Sequence, residues 1–233
     1  MNQATNPSSG IWVFPGQPNS GVVLGAGGAI VIDPGASMSE LDALDGLVNS
    51  AHEVVAVVLT HERPGIFPDL LRWPDAQRIS PETFSAGEDD TPADLPVAGW
   101  QLIVLQNPGR LGVYNSKQKM LFCGDMLSDT DIPSLPAGSR PYLDSLERVE
   151  SLDPKLIVPA VGEAAEGKRA IRQRIERDRN YVYALIRQVQ TAITARTTLE
   201  RALEVARSIY EDYPFAEAHL DNVRWVWEEL SRD

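Results

Sequence analysis

The sequence predicts an α/β (α+β) fold in which two β-sheets pack face to face and helices cover their outer sides. Through the first 160 residues, short apolar segments of strand length alternate with segments of helical periodicity. After residue 164 the pattern is wholly helical. Eight strands are predicted, at residues 11–14, 21–24, 29–32, 54–60, 101–105, 111–114, 119–123 and 155–158.

This pattern divides the chain into three parts. Residues 1–10 are polar and are predicted to form a disordered lead-in, residues 11–190 form the αββα domain, and residues 191–233 form a helical extension. Ser37 and Glu40 have capping-box spacing at the start of a predicted helix, as do Thr197 and Glu200. The apolar stripes of the extension must be covered, so we expect it to pack on the domain or on a second subunit.

The composition excludes several classes of function. The chain has 233 residues and a formal net charge of −12, and residues 1–167 hold 22 of the 33 acidic residues but only 9 of the 21 basic ones. An acidic body argues against nucleic-acid binding, which needs a basic face. No apolar run reaches the roughly 20 residues that span a bilayer, and the first residues lack a secretory signal pattern. With a single cysteine, Cys123, and no internal disulfide, a cytoplasmic location is expected.

The central predicted strand ends in a polar pair. An apolar, mostly β-branched run at 54–59 is followed directly by Thr60 and His61 and then by a loop rich in proline and glycine. Such a run is typical of a strand buried on both faces. Layered α/β folds place their sites at the carboxyl ends of such strands, so His61 is a candidate site residue.

Five strand ends, taken in order, resemble those of the metallo-β-lactamase-fold superfamily. The segment at 60–66 reads THERPGI where the superfamily signature is Thr-His-x-His-x-Asp-His, and IDPG at 32–35 is similar to its IDxG strand end. NPGRLG at 107–112 resembles TPGHTPG, LFCGD at 121–125 resembles LFxGD, and LIVPAVG at 156–162 resembles VxPGHG. The resemblance covers about residues 19–190 and implies a four-layer αββα sandwich.

The resemblance also implies which residues face the metal site. His61 matches the first metal ligand and Asp125 the bridging carboxylate. Asp33 and Thr60 would contact the ligands and not the metal itself. The remaining ligand positions carry residues that do not bind zinc, namely Arg63, Gly65, Ile66, Arg110 and Val161.

A count of histidines then argues for a degenerate metal site. The chain has three histidines, whereas the two-metal site implied by the resemblance needs five, and only His61 is placed to bind. Catalytic zinc is held by three protein ligands and a water. We therefore expect no cofactor. The alternative is a single zinc on His61 and Asp125, with Glu62, Asp69 or Glu163 recruited.

Two former ligand positions carry arginine, which suggests what replaces the metal. A buried carboxylate without a counter-charge is costly, and a guanidinium can bind both carboxylate oxygens at once. We hypothesise that Arg110, Arg63 or both neutralise Asp125, with His61 beside them. The alternative is that the arginines point to solvent.

The function that follows is a pseudoenzyme, that is, a binding, regulatory or structural protein on a hydrolase-like scaffold. Two alternatives stay open: an atypical hydrolase with one metal at His61 and Asp125, and a metal-free enzyme acting on an anionic substrate through Arg63 and Arg110. The sequence identifies no partner: a small anionic ligand and a homodimer are both compatible with it, whereas nucleic acid and membrane are not expected.

Overall fold

The computed structural model describes residues 4–35, 37–48, 52–61, 72–84, 92–106, 109–209 and 214–232. Two six-stranded sheets account for the strands of these ranges. The first sheet runs in chain order, β1 (Thr5–Ser8), β2 (Ile11–Phe14), β3 (Ser20–Gly25), β4 (Gly28–Ile32), β5 (Val54–Val58) and β6 (Gln77–Ile79). It is antiparallel up to β4 and parallel from β4 to β6.

The strands of the second sheet are also neighbours in chain order. From one edge to the other it contains β12 (Ala165–Glu166), β11 (Leu156–Val158), β10 (Met120–Phe122), β9 (Arg110–Asn115), β8 (Trp100–Gln106) and β7 (Ala93–Asp94). Only β10 and β11 pair in parallel.

Five helices complete the described ranges. They are α1 (Met38–Val48), α2 (Ser139–Leu152), α3 (Lys168–Thr194), α4 (Leu199–Ile209) and α5 (Ala216–Leu230). None is long and apolar enough to cross a membrane. The predicted capping box at α1 is confirmed, because the Ser37 hydroxyl accepts from the Glu40 amide at 3.3 Å and the Glu40 carboxylate accepts from the Ser37 amide at 3.0 Å. At α4 the hydroxyl that caps the helix belongs to Thr198, one residue after the predicted Thr197.

Three apolar clusters show that the molecule has four layers. The inner faces of the two sheets meet in one cluster, which includes Ile30 and Val58 from the first sheet and Val113 and Phe122 from the second. A second cluster joins the outer face of the first sheet to α1. The third joins the outer face of the second sheet to α2, α3 and α5. The predicted αββα arrangement is therefore confirmed.

The helical extension is part of this outer layer. Its fully buried apolar side chains, within the described residues, are Ala206, Leu220, Val223 and Val226, which lie in the same cluster as residues of α2 and α3. The sequence pattern predicts burial of Leu199, Leu203, Ile209, Trp227 and Leu230. Of these, Leu203, Trp227 and Leu230 pack against this cluster while partly exposed, Leu199 is only partly buried, and the side chain of Ile209 lies outside the described part of the chain. The expected boundary at residue 190 falls inside the continuous helix α3.

Three short strands, β1, β7 and β12, lie where the sequence predicts no strand. β1 lies in the segment expected to be disordered, where Thr5 and Ser8 pair with β2. β7 and β12 are two-residue edge strands. All three have too few apolar residues to show a strand pattern, and they form because a neighbouring strand offers its open edge. The sequence also predicts a short helix around residues 69–73, most of which lie outside the described residues.

Candidate functional site

The predicted site residues come from four neighbouring strand ends. Asp33 follows β4, and Thr60 and His61 follow β5, so the parallel pairing of these strands brings them to the same edge of the first sheet. Arg110 opens β9, and Asp125 follows β10 in the second sheet. The two sheets are joined here, because His61 and Arg110 form an isolated antiparallel bridge and the Leu111 amide donates to the Thr60 carbonyl at 2.7 Å.

A chain of hydrogen bonds orients His61. The buried Asp33 carboxylate accepts from the Thr60 amide at 2.9 Å and from the Thr60 hydroxyl at 2.6 Å. The Thr60 Oγ1 also lies 3.1 Å from His61 Nδ1. Since the one hydroxyl proton of Thr60 goes to Asp33, Nδ1 must be the donor in that contact. In the neutral ring, Nε2 is then the atom that can accept a hydrogen bond or bind a metal.

Arg110 and Asp125 form a bidentate ion pair, as hypothesised from the sequence. Arg110 Nε donates to Asp125 Oδ1 at 2.5 Å, and Nη2 donates to Oδ2 at 2.9 Å and to the Ser134 carbonyl at 2.7 Å. The Arg110 side chain is 4% exposed and that of Asp125 is 30% exposed. Burial opposes both charges, but their attraction and hydrogen bonds outweigh it, so the pKa of Asp125 lies below its usual value and that of Arg110 above.

A buried tyrosine continues this network behind Arg110. The guanidinium carbon of Arg110 lies 5.5 Å from the centroid of the Tyr142 ring, within the range of a cation–π contact. The Tyr142 hydroxyl donates to Asp178 Oδ2 at 2.7 Å, and burial together with the charge of Asp178 raises the pKa of Tyr142 well above its usual value. Asp178 also accepts from Arg177. Burial dominates at Asp178 as well and raises its pKa.

The ion pair forms one wall of a cavity of about 490 Å³. The residues that line this cavity are His61, Gly109, Arg110, Asp125, Ser134, Pro136 and Ala137. Cys123 is fully buried, and burial raises the pKa of its thiol, so it is a core residue and not an activated nucleophile.

Not all predicted site residues can be placed. Arg63, Gly65 and Ile66 lie outside the described residues, as do Glu62 and Asp69. Val161 and Glu163 line a different cavity of about 510 Å³, together with Asn19 and Thr130. Of the expected set, the structure therefore brings together His61, Thr60, Asp33, Arg110 and Asp125.

The described residues do not fit a metal centre. Within the described ranges, no group of three or more His, Cys, Asp or Glu side chains could hold a metal ion. His61 and Asp125 are the two candidate donors that line the cavity, and both oxygens of Asp125 already accept hydrogen bonds from Arg110. The Arg110 guanidinium also holds a positive charge within hydrogen-bond distance of Asp125, which opposes the approach of a cation to that carboxylate.

Sequence reasoning missed three contributors to the site. Tyr142 supports the guanidinium, Ser134 accepts from it, and Asn222 of α5 holds the residues on both sides of Ser134. Tyr142 and Asn222 stand in ordinary helical patterns, and Ser134 in a loop rich in proline. Their separations of 24 to 89 residues from their partners leave no local signal.

Comparison with solved structures gives the class of fold. The sec-alkylsulfatase Pisa1 from Pseudomonas sp. superposes with a TM-score of 0.68 at 11% identity; the match covers 97% of this chain but only 50% of the sulfatase chain. The chemotaxis sensor ODP from T. denticola, in its apo state, gives 0.60 at 13% identity over 75% of this chain and 91% of that one.

A third structure leads to the same fold. A metallo-β-lactamase from Erythrobacter litoralis in a mono-zinc form gives a TM-score of 0.58 at 17% identity over 76% of this chain and 96% of that one. No protein-family model and no curated protein sequence matches this chain. The chain therefore has the metallo-β-lactamase fold.

Proposed function

We propose that this chain is a metallo-β-lactamase-like protein with a degenerate metal site, which binds a ligand or a partner without a catalytic metal. The observation that carries the proposal is the bidentate contact between Arg110 and Asp125. By the sequence resemblance Asp125 matches the bridging carboxylate, and the guanidinium of Arg110 supplies the positive charge beside it. The cavity beside this pair is the proposed ligand site.

The fold permits such a role. One similar structure is that of a chemotaxis sensor, while others are those of β-lactamases and a sulfatase, so the fold alone does not imply hydrolysis.

The metal-free enzyme acting through Arg110 is the less favoured candidate. The Arg110 side chain is nearly inaccessible, and its donors reach Asp125 and Ser134. Arg63, the second arginine of this candidate, lies outside the described ranges.

Zinc loading tests the proposal. Protein incubated with excess zinc and then desalted is measured by elemental analysis, for the wild type, Arg110→His and Arg172→His. Arg172→His is the matched control, because Arg172 is exposed and pairs only with Glu176 on the same helix. We expect little zinc in the wild type and in the control. Arg110→His should gain zinc towards one ion per chain, since it releases Asp125 and places a third ligand beside His61.

The opposite results separate the alternatives. Nearly one zinc per wild-type chain, lost in His61→Ala, would establish the mononuclear site and refute the proposal. Hydrolysis of a chromogenic β-lactam, thioester or sulfate ester that persists in chelator would establish a metal-free enzyme instead.

A further inference from the structure

One wall of the cavity is a short segment between β10 and α2. This segment, residues 133–138, will be called the wall segment, and its residues Ser134, Pro136 and Ala137 line the cavity. Ser134 also provides the carbonyl that accepts from Arg110 at 2.7 Å. The position of the wall segment therefore determines both the shape of the cavity and one of the hydrogen bonds that orient Arg110.

Asn222 of α5 holds the wall segment on both sides of Ser134. Its Nδ2 donates to the Pro133 carbonyl at 2.7 Å, and its Oδ1 accepts from the Leu135 amide at 3.0 Å. The same Nδ2 donates to the Tyr181 hydroxyl at 2.8 Å. Asn222 is fully buried. A side-chain amide carries a donor and an acceptor close enough together to bind two neighbouring peptide groups in this way.

Glu229, two turns further along α5, holds the other end of the wall segment. Its Oε2 accepts from the Ser139 amide and hydroxyl, both at 2.7 Å, and its Oε1 accepts from the Arg140 amide at 3.2 Å. The N-cap residue of α2 is Gly138, which has no side chain to cap the helix. Glu229 thus supplies, from another helix, the acceptor that satisfies the first amides of α2.

Packing alone does not account for these contacts. Leu220, Val223 and Val226 bury the apolar stripe of α5 in the outer layer, and they would hold the helix in place without any polar contact to the wall segment. The hydrogen bonds of Asn222 and Glu229 instead connect α5 to both ends of the wall segment.

We propose that Asn222 and Glu229 are positioning residues of the candidate site, through which the C-terminal helix α5 sets the cavity wall and the orientation of Arg110. This inference rests on the proposed function only in taking the cavity as the ligand site. It does not depend on whether the site binds metal.

The test compares each positioning residue with its neighbour in the sequence. The variants are Asn222→Ala and Glu229→Ala, and the matched controls are Asp221→Ala and Glu228→Ala. Both control residues are about half exposed, and among the described residues they form ion pairs within or next to α5, with Arg224 and Arg232. Two readouts report on the site itself: solvent exchange of the Arg110 Nε–H, followed by NMR, and the rate at which diethyl pyrocarbonate modifies His61, followed by peptide mass spectrometry.

In Asn222→Ala we expect exchange of the Arg110 Nε–H and of the Leu135 amide to become about tenfold faster, as for a local opening equilibrium that has lost one or two hydrogen bonds. Modification of His61 should become several times faster. Glu229→Ala should speed exchange of the Ser139 and Arg140 amides and modification of His61. Amides of β9 should stay protected, and both controls should behave like the wild type.

Asn222→Asp keeps the acceptor but loses the donor, so it should retain protection of Leu135 and show an intermediate effect at Arg110. It also serves if Asn222→Ala does not fold. The proposal is overturned if exchange at Leu135 or Ser139 rises while Arg110 and His61 are unchanged, because the contacts would then be local structure only. It is equally overturned if the controls change as much as the variants. Neither result alters the zinc content, which tests the proposed function separately.

Discussion

The charge on Arg110 is held by contacts on three sides. Asp125 binds the edge of the guanidinium, the Ser134 carbonyl takes a further hydrogen bond, and the Tyr142 ring lies against it. The pairing with Asp125 could be predicted because both residues stand at ligand positions of a recognisable motif, where a lost metal leaves an unbalanced carboxylate. The contacts to Ser134 and Tyr142 could not, because neither residue has a local pattern that marks it.

A double-mutant cycle measures how much this pair contributes to stability. Arg110→Ala leaves Asp125 charged and without its partner. Removing one partner of a fully buried pair costs about 3–5 kcal/mol, and the 30% exposure of the Asp125 side chain lowers our expectation to about 2–3 kcal/mol. Adding Asp125→Asn should recover part of the loss. Urea unfolding of the wild type, both single variants and the double variant gives the coupling energy between Arg110 and Asp125. A coupling energy near zero would contradict the idea that Arg110 replaces the charge of a metal at Asp125.

Asp178 should make stability depend on pH. Its carboxylate is fully buried and accepts from Tyr142 and Arg177, yet burial dominates and its pKa is raised. A carboxyl whose pKa is raised on folding contributes stability that is fully present below its unfolded pKa, about 3.9. That contribution is lost as pH rises through the folded pKa.

The measurement compares the wild type with Asp178→Asn from pH 3.5 to 7. The difference in free energy of unfolding, wild type minus variant, should decrease as pH rises above about 4, since only the wild type loses a proton there. Asp144→Asn, at an exposed position of α2, is the control for the substitution itself. A difference that grows with pH would show that Tyr142 and Arg177 outweigh burial at this site.

At the scale of the elements, a helix cap could be predicted from the sequence where its two hydrogen-bonded residues are close together in the chain. The capping box of α1 joins Ser37 to Glu40, three residues apart, and it forms as predicted. The cap of α2 joins Ser139 to Glu229, which are 90 residues apart, and no pattern near residue 139 indicates it. When a helix begins after glycine, the acceptor for its first backbone amides must come from another residue, and the local sequence does not indicate which one.

The strands follow the same division. Those with an apolar run, such as β4 and β5, were predicted to within two residues because burial on both faces leaves a continuous apolar signal. The edge strands β1, β7 and β12 have exposed or mixed faces and were not predicted. Their formation depends on hydrogen bonds to a neighbouring strand, which a local pattern does not encode.

At the scale of the whole molecule, the layers explain why the site depends on the C-terminal helices. The site lies between the two sheets at one edge, and α2, α3 and α5 cover the outer face of the second sheet with one continuous apolar cluster. Arg110 reaches this outer layer through Tyr142 of α2, and the wall segment reaches it through Asn222 of α5. The resemblance that identified the fold ended near residue 190 and gave no reason to connect the extension with the site.

Deleting the extension should therefore destabilise the whole domain. A chain that ends at Thr194 keeps α3 but loses the buried side chains of Leu220, Val223 and Val226. Fully burying a side chain of this kind contributes about 1.5–3 kcal/mol, so the loss of three is about 5 kcal/mol or more. Domains of this size are stable by only about 5–15 kcal/mol. The deletion also uncovers the apolar faces of α2 and α3, which favours aggregation.

We expect the chain ending at Thr194 to be aggregated, or to have lost most of its thermal stability, when examined by size-exclusion chromatography and calorimetry. A chain ending at Leu230 is the control, because it removes three residues but keeps all of α5, and it should match the full chain. If the chain ending at Thr194 stayed monomeric with an unchanged melting temperature, the third apolar cluster would not need α5. The contacts of Asn222 and Glu229 would then lie on a helix that the domain can lose without cost to its fold.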